Sequence, residues 1–147
     1  MDKIELLKGV VLTPLKRISN PLGDVFHGMK KSDEGFNGFE EAYFSTIHHD
    51  IIKSWKRHTK MTLNIIVPVG SIRFALFDDR ENSETNGKYM DVTLSLDNYY
   101  RLTVPPNIWM TFKGVGNSLN LLLNISNLEH DPAEVDRDDS NMKEFSW

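Results

Sequence analysis

The chain has 147 residues, a formal net charge of -4 and no cysteine. That length suits one domain with its own core. The mild acidity offers no basic stripe for nucleic acid, and the missing cysteines exclude disulfides, thiolate metal sites and a cysteine nucleophile. With 39% hydrophobic and 26% charged residues the balance is that of a soluble globular protein. No apolar stretch reaches the roughly 18–20 residues that span a bilayer, and the charged start lacks a secretory apolar region. A cytoplasmic protein without membrane contact is expected.

Residues 4 to 15 hold Ile4, Leu6, Leu7, Val10, Val11, Leu12 and Leu15, interrupted by Gly9 and Pro14. That interruption opposes a long helix and predicts one or two short strands. Asn20-Pro21 and Gly23-Asp24 mark turns, Val25 to Met29 a short strand, and residues 30 to 38 a polar loop. Phe39 to Ile47 is aromatic-rich and reads as a strand, followed by a turn at His48-His49-Asp50. Leu63 to Val69 is the next strand, with Pro68 expected at an edge or strand end. Gly70-Ser71 turns the chain into the strand Ile72 to Phe77. Residues 78 to 87 contain no apolar side chain and predict a solvated loop. Strands resume at Tyr89–Leu94, Tyr99–Val104, Trp109–Phe112 and Leu119–Ile125. The tail, residues 129 to 147, is acidic; Asp131 ahead of Pro132 reads as the N-cap of a single helical turn, and Met142, Phe145 and Trp147 are apolar anchors. Short strands at regular spacing with turns between them predict an all-β sandwich or barrel.

Chemistry concentrates in residues 53 to 64. At strand period Lys56, His58, Lys60, Thr62 and Asn64 share one face, with Trp55, Arg57, Thr59, Met61 and Leu63 on the other. A polar stripe of this kind lines a cavity inside a small barrel. A His-x-His metal strand would occupy the same place, but the chain reads Lys56-Arg57-His58, and the later strand from Pro105 to Phe112 has no histidine. Metal binding is not expected. The adjacent His48 and His49 read as solvated turn residues. His58 supplies an imidazole base, and a neighbouring lysine ammonium can stabilise an enolate oxygen. The competing reading is a packed histidine with lysines that reach out to solvent. Trp55 and Trp109 are candidate walls of a ligand pocket.

An ordered set of motifs spans residues 9 to 147. It comprises Gly23-Asp24 after Thr13-Pro14-Leu15-Lys16-Arg17, Trp55-x-x-His58, Pro68-Val69-Gly70, Asp78-Asp79-Arg80, Asp97-Asn98-Tyr99, Val104-Pro105-Pro106-x-x-Trp109 and His130-Asp131-Pro132-x-Glu134. Together they resemble the dTDP-4-dehydrorhamnose 3,5-epimerase family and its relatives, the dTDP-sugar 3,4-ketoisomerases. The resemblance implies a single cupin-type jelly-roll barrel with a short helical or irregular C-terminal tail, and a homodimer exchanging N-terminal strands within residues 1 to 28. It also implies a nucleotide-linked 4-keto-6-deoxy sugar as ligand, without metal or cofactor. Relatives carry Trp-His-x-His or Arg-Gly-x-His on the central strand; here His58 keeps one histidine, Lys56 stands where the other would be, and the epimerase arginine falls on Lys53. The epimerases' Gln-x-Asn falls near Glu41 and Tyr43, their catalytic tyrosine near Asn124, and their active-site lysine has Lys60 as its nearest candidate. The carboxylate orienting the base falls to Asp136, Asp138 or Asp139. The implied roles are His58 as base, Lys56 or Lys60 as enolate stabiliser and Tyr43 as acid. Lys53, Arg57 and Arg73 take the diphosphate, with Glu41, Asn64 and Trp109 also in the ligand site. The alternatives are a 3,4-ketoisomerase and a non-catalytic cupin that binds a sugar nucleotide or a partner enzyme.

Overall fold

The computed structural model describes residues 4–138 and 144–147. Two five-stranded sheets, paired antiparallel throughout, carry the domain, and a two-stranded hairpin lies beside them. The first sheet runs in the order β1 (Val11–Pro14), β9 (Tyr100–Val104), β6 (Leu63–Val69), β11 (Leu121–Ser126), β4 (Glu41–Thr46). The second runs β12 (Val135–Asp138), β5 (Trp55–His58), β10 (Trp109–Gly114), β7 (Ser71–Phe77), β8 (Tyr89–Ser95). β2 (Arg17–Ile18) and β3 (Val25–Phe26) form the hairpin. This is the expected all-β cupin-type arrangement. β1 pairs with β9 of its own chain, Val11 opposite Thr103.

Strand alternation builds the core. Ile72, Phe74 and Leu76 of β7 and Met90, Val92 and Leu94 of β8 meet Leu63, Ile65 and Val67 of β6 and Leu102 and Val104 of β9. Burying each such side chain contributes roughly 1.5–3 kcal/mol. The other face of the second sheet carries a smaller cluster of Trp55, Ala75 and Trp109, with Phe145 and Trp147 of the tail packed on it. Gly70, at φ 79°, turns β6 into β7; a Cβ there would lie 2.3 Å from the Leu119 carbonyl oxygen, so only glycine fits. Pro68 occupies the irregular end of β6, between its pairings of Ile66 with Leu123 and Val69 with Leu121, where no ladder donor is needed.

Three expectations change. The loop after β7 is not simply solvated. Asp78 is fully buried and accepts hydrogen bonds from Arg80, Ser83 and Thr85. Arg80 in turn donates to the Lys8 carbonyl at 2.6 Å, tying the loop to the N-terminal segment. The tail turn forms as a 3-10 helix, Pro132–Glu134, capped by Asp131, but it leads into a further strand, β12, which the sequence reading missed. Finally, the polar stripe of residues 53 to 64 is broken. β5 ends at His58, residues 59 and 60 bend, and β6 begins at Leu63 in the opposite sheet. The side-chain phase slips by one across the bend, so Lys56 and His58 point between the sheets, followed by Met61, Leu63 and Ile65. Thr62 and Asn64 point out of the sandwich.

Candidate active site

The apolar core does not fill the whole space between the sheets. Towards the β4 edge of one sheet and the β12–β5 edge of the other, the inward positions turn polar. Glu41, Tyr43 and Ser45 alternate inward on β4, Asn124 on β11, Lys56 and His58 on β5, and Arg137 on β12. They enclose a cavity of about 410 Å³, with Lys53, Ser54 and His130 at its margin and Met61, Leu63, Ile65, Ile108, Met110 and Phe112 as its apolar floor. The volume and the mixture of apolar wall with few polar groups are those of a small-molecule site.

At its centre His58 Nδ1 is hydrogen-bonded to Glu134 Oε1. The carboxylate is 4% exposed, and its other oxygen accepts the backbone N–H groups of Lys60 at 3.1 Å and Met61 at 3.2 Å. Burial pushes the Glu134 pKa up, but the hydrogen bonds from His58 and from those backbone amides outweigh it and hold the group below its ordinary value. An ionised Glu134 fixes the proton on Nδ1 and leaves Nε2 as an acceptor. The same contacts make the bend: Thr59 N–H donates to the Glu134 carbonyl at 2.8 Å, and Thr59 Oγ1 to the same oxygen at 3.0 Å.

Opposite, Tyr43 and Asn124 pair in register across β4 and β11. Asn124 Nδ2 donates to the Tyr43 hydroxyl oxygen at 3.2 Å, leaving the phenol's own proton available to a ligand. Lys53 Nζ donates to Ser45 Oγ at 3.2 Å and lies 5.3 Å from the Phe112 ring centre. Lys56 stands opposite Arg137 on β12 and Met110 on β10. Burial first, then the charges of Arg137 and Lys53, hold the Lys56 pKa below the usual lysine range. Lys53 and Arg137 make a cationic wall in a chain whose net charge is negative.

Of the residues expected at the site, His58, Lys56, Tyr43, Lys53 and Glu41 line this cavity. Lys60 does not: it sits exposed on the bend and contributes only its backbone N–H, to Glu134. Arg57 faces the other side of β5, paired with Asp136 at 2.7 Å and Asp79 at 3.2 Å, and lies over the Trp109 ring. Trp109 itself donates from Nε1 to Asp79 at 2.9 Å on that outer face, and Trp55 shares it. Arg73 is held there too, by Asp91 and the Trp147 carbonyl. Asn64, carried outward by the phase slip, accepts from Thr103 Oγ1 at 2.6 Å and donates to the Gly35 carbonyl at 3.0 Å. The carboxylate partner of His58 is Glu134, not Asp136, which serves Arg57, nor Asp138, which lies in register with Trp55 on the outward phase of β12; Asp139 lies outside the described residues. Glu134, Arg137 and His130 were missed. The Asp131-Pro132 turn and the Val135-x-Arg137 alternation were their signals. Among the described residues no group of three or more His, Asp or Glu side chains is placed to hold a metal ion, and no helix is long and apolar enough to cross a membrane.

No protein-family model matches the sequence. A dTDP sugar isomerase from Desulfovibrio desulfuricans G20 is 37% identical, with 96% of this chain and 92% of that chain superposing at a TM-score of 0.91. The probable low-salt glycan biosynthesis epimerase Agl13 of Haloferax volcanii is 27% identical over 100 residues, covering 67% of this chain and 64% of that protein's length. The dTDP-4-dehydrorhamnose 3,5-epimerase of Bacillus anthracis str. Ames, solved with TDP and pyrophosphate bound, is 17% identical; it covers 96% of this chain and 86% of its own at a TM-score of 0.82, a likeness of fold. On the full-length match above 30% identity and the shared barrel, the chain belongs to the family of dTDP-sugar isomerases related to dTDP-4-dehydrorhamnose 3,5-epimerase.

Proposed function

We propose that the protein is a sugar-nucleotide isomerase of the 3,5-epimerase type. It would take a proton from a carbon next to the C4 ketone of a dTDP-4-keto-6-deoxy sugar and return one from the opposite side. The observation that carries this is the His58–Glu134 pair opening into a cavity whose far wall presents the Tyr43 hydroxyl. His58 Nε2 is the base, oriented by Glu134. Tyr43 is the acid, its oxygen steadied by Asn124. The cationic wall of Lys53 and Arg137 takes the diphosphate, and Glu41 and Ser54 offer hydrogen bonds at the margin.

Under this reading the protein works in the cytoplasm in the synthesis of surface-polysaccharide sugars, a role supported by the glycan-synthesis name of the Haloferax relative. It pairs as a homodimer through its N-terminal strands. The exposed apolar side chains Leu22 and Val25 of the hairpin and Phe39 and Phe44 near the β4 edge support such a contact. A 3,4-ketoisomerase is the second reading, favoured by the placement of Lys56 and His58 on one wall, where two proton carriers can serve adjacent carbons.

The test is incubation with dTDP-4-keto-6-deoxyglucose in D2O, followed by NMR of the product. Deuterium at C3 or C5 with an inverted centre supports the epimerase. A carbonyl moved to C3 selects the ketoisomerase. Tight binding by calorimetry with no exchange at any position would leave a non-catalytic binder.

A further inference from the structure

Lys56 differs from the other basic side chains of the cavity. Lys53 has a hydroxyl partner in Ser45 and an aromatic face in Phe112. The charged groups that act on Lys56 are both cationic, Arg137 and Lys53. Arg137 is its direct cross-strand neighbour, and like charges so opposed repel. On its other side stands Met110, and the cavity floor beneath is apolar. A partly apolar setting and neighbouring cations both favour the neutral, nucleophilic form of a lysine amine. Its position is equally specific. Lys56 and His58 are two residues apart on one strand and face the same space, so their Cα atoms lie roughly 6–7 Å apart. A lysine stem and an imidazole from those points reach adjacent atoms of one ligand.

We propose that Lys56 is a covalent catalyst that forms an iminium with the ketone of the bound sugar nucleotide, so that His58 removes a proton next to C=N⁺ rather than next to C=O. This rests on the keto-sugar reading above. The neutral Nζ adds to the carbonyl carbon. The oxygen then leaves as water, taking one proton from the attacking nitrogen and one from solvent. His58 Nε2 takes the proton from the neighbouring carbon, and the C–H electron pair neutralises the iminium as an enamine. Tyr43 returns a proton to carbon from the opposite wall and is reprotonated from solvent. The iminium re-forms, water adds to it, and the free amine leaves as the ketone re-forms; the proton from this hydrolysis and the one held by His58 both go to solvent. The positive nitrogen does the work that an enolate-stabilising cation would do from outside the bond.

The test is reductive trapping of the full chain. The protein is mixed with dTDP-4-keto-6-deoxyglucose and sodium cyanoborohydride, then analysed by intact mass and peptide mapping. One sugar nucleotide per chain, attached at Lys56, is expected. Lys56→Arg keeps a long basic side chain but cannot form the adduct; it should lose trapping and at least 100-fold in deuterium exchange, with an unchanged thermal melt. Lys56→Met checks the same loss should arginine not pack. The proposal is overturned if no adduct forms, if the adduct sits on Lys53, or if folded Lys56→Arg exchanges deuterium like the parent. Exchange without an adduct sinks the iminium and leaves the keto-sugar isomerase standing; no exchange and no adduct sinks both.

Discussion

Replacing Glu134 with glutamine tests the base assignment through a single atom. The carboxylate now accepts the Nδ1 proton of His58 with one oxygen and two backbone N–H groups with the other. Glutamine can keep the backbone bonds only by turning its oxygen to Lys60 and Met61, which aims its NH2 at Nδ1. The imidazole must then accept at Nδ1 and carry its proton on Nε2, where a base needs a lone pair. The wrong tautomer should lower proton abstraction roughly 10³–10⁴-fold, about 4–5.5 kcal/mol in the barrier. The fold should lose only about 1–2 kcal/mol, since the hydrogen bonds are weakened rather than orphaned. The assay pairs solvent-deuterium exchange into the sugar with a thermal melt, and the nitrogen shifts of His58 report the tautomer directly. An exchange rate like the parent's, with Nδ1 shown to have lost its proton, would refute the reasoning.

Tyr43→Phe should leave His58 able to abstract but unable to hand over to the far wall, cutting product formation roughly 10²–10⁴-fold with little change in KM. Lys53→Ala and Arg137→Ala should each weaken dTDP binding about 10–100-fold by calorimetry, from ~1.5–3 kcal/mol per charge-assisted bond. Arg57→Ala and Arg73→Ala should leave that affinity unchanged, because both side chains are spent on the outer face. Burial of Asp78 opposes its charge, yet bonds from Arg80, Ser83 and Thr85 hold its pKa far below the carboxylate range. A depressed folded-state pKa stabilises above the unfolded value of about 3.9 and loses that contribution as pH falls below it. Asp78→Asn should therefore lower the melting temperature at pH 7 and flatten its decline in acid.

The barrel was legible because strands such as β7 and β8 alternate buried and less buried side chains. Ile72, Phe74 and Leu76, or Met90, Val92 and Leu94, announce strand period without help from elsewhere. The site was half legible. Lys56 and His58 stand out as polar residues at inward positions, but extending the stripe to Lys60, Thr62 and Asn64 assumed one continuous strand. What breaks it is Glu134, more than seventy residues away in sequence, which captures the amides of residues 60 and 61; no local propensity encodes that contact. β12 was hidden for a related reason. Val135-Asp136-Arg137-Asp138 looks like a solvated acidic tail until β5 is there to pair with it, whereupon Arg137 turns into the cavity and Asp136 turns out to Arg57. Arginine positions such as 57 and 73 carry no mark of their face in the sequence, and alternation from the wrong starting phase misassigns them.

The proposed ligand lies between the sheets, with its sugar at His58. A crystal structure with dTDP-4-keto-6-deoxyglucose bound to His58→Asn tests it most directly. The sugar ring should lie within hydrogen-bond reach of residue 58 and the Tyr43 hydroxyl, with the diphosphate on Lys53 and Arg137. A nucleotide seated instead on the outer face, against Arg57, Trp109 and Arg73, would contradict it.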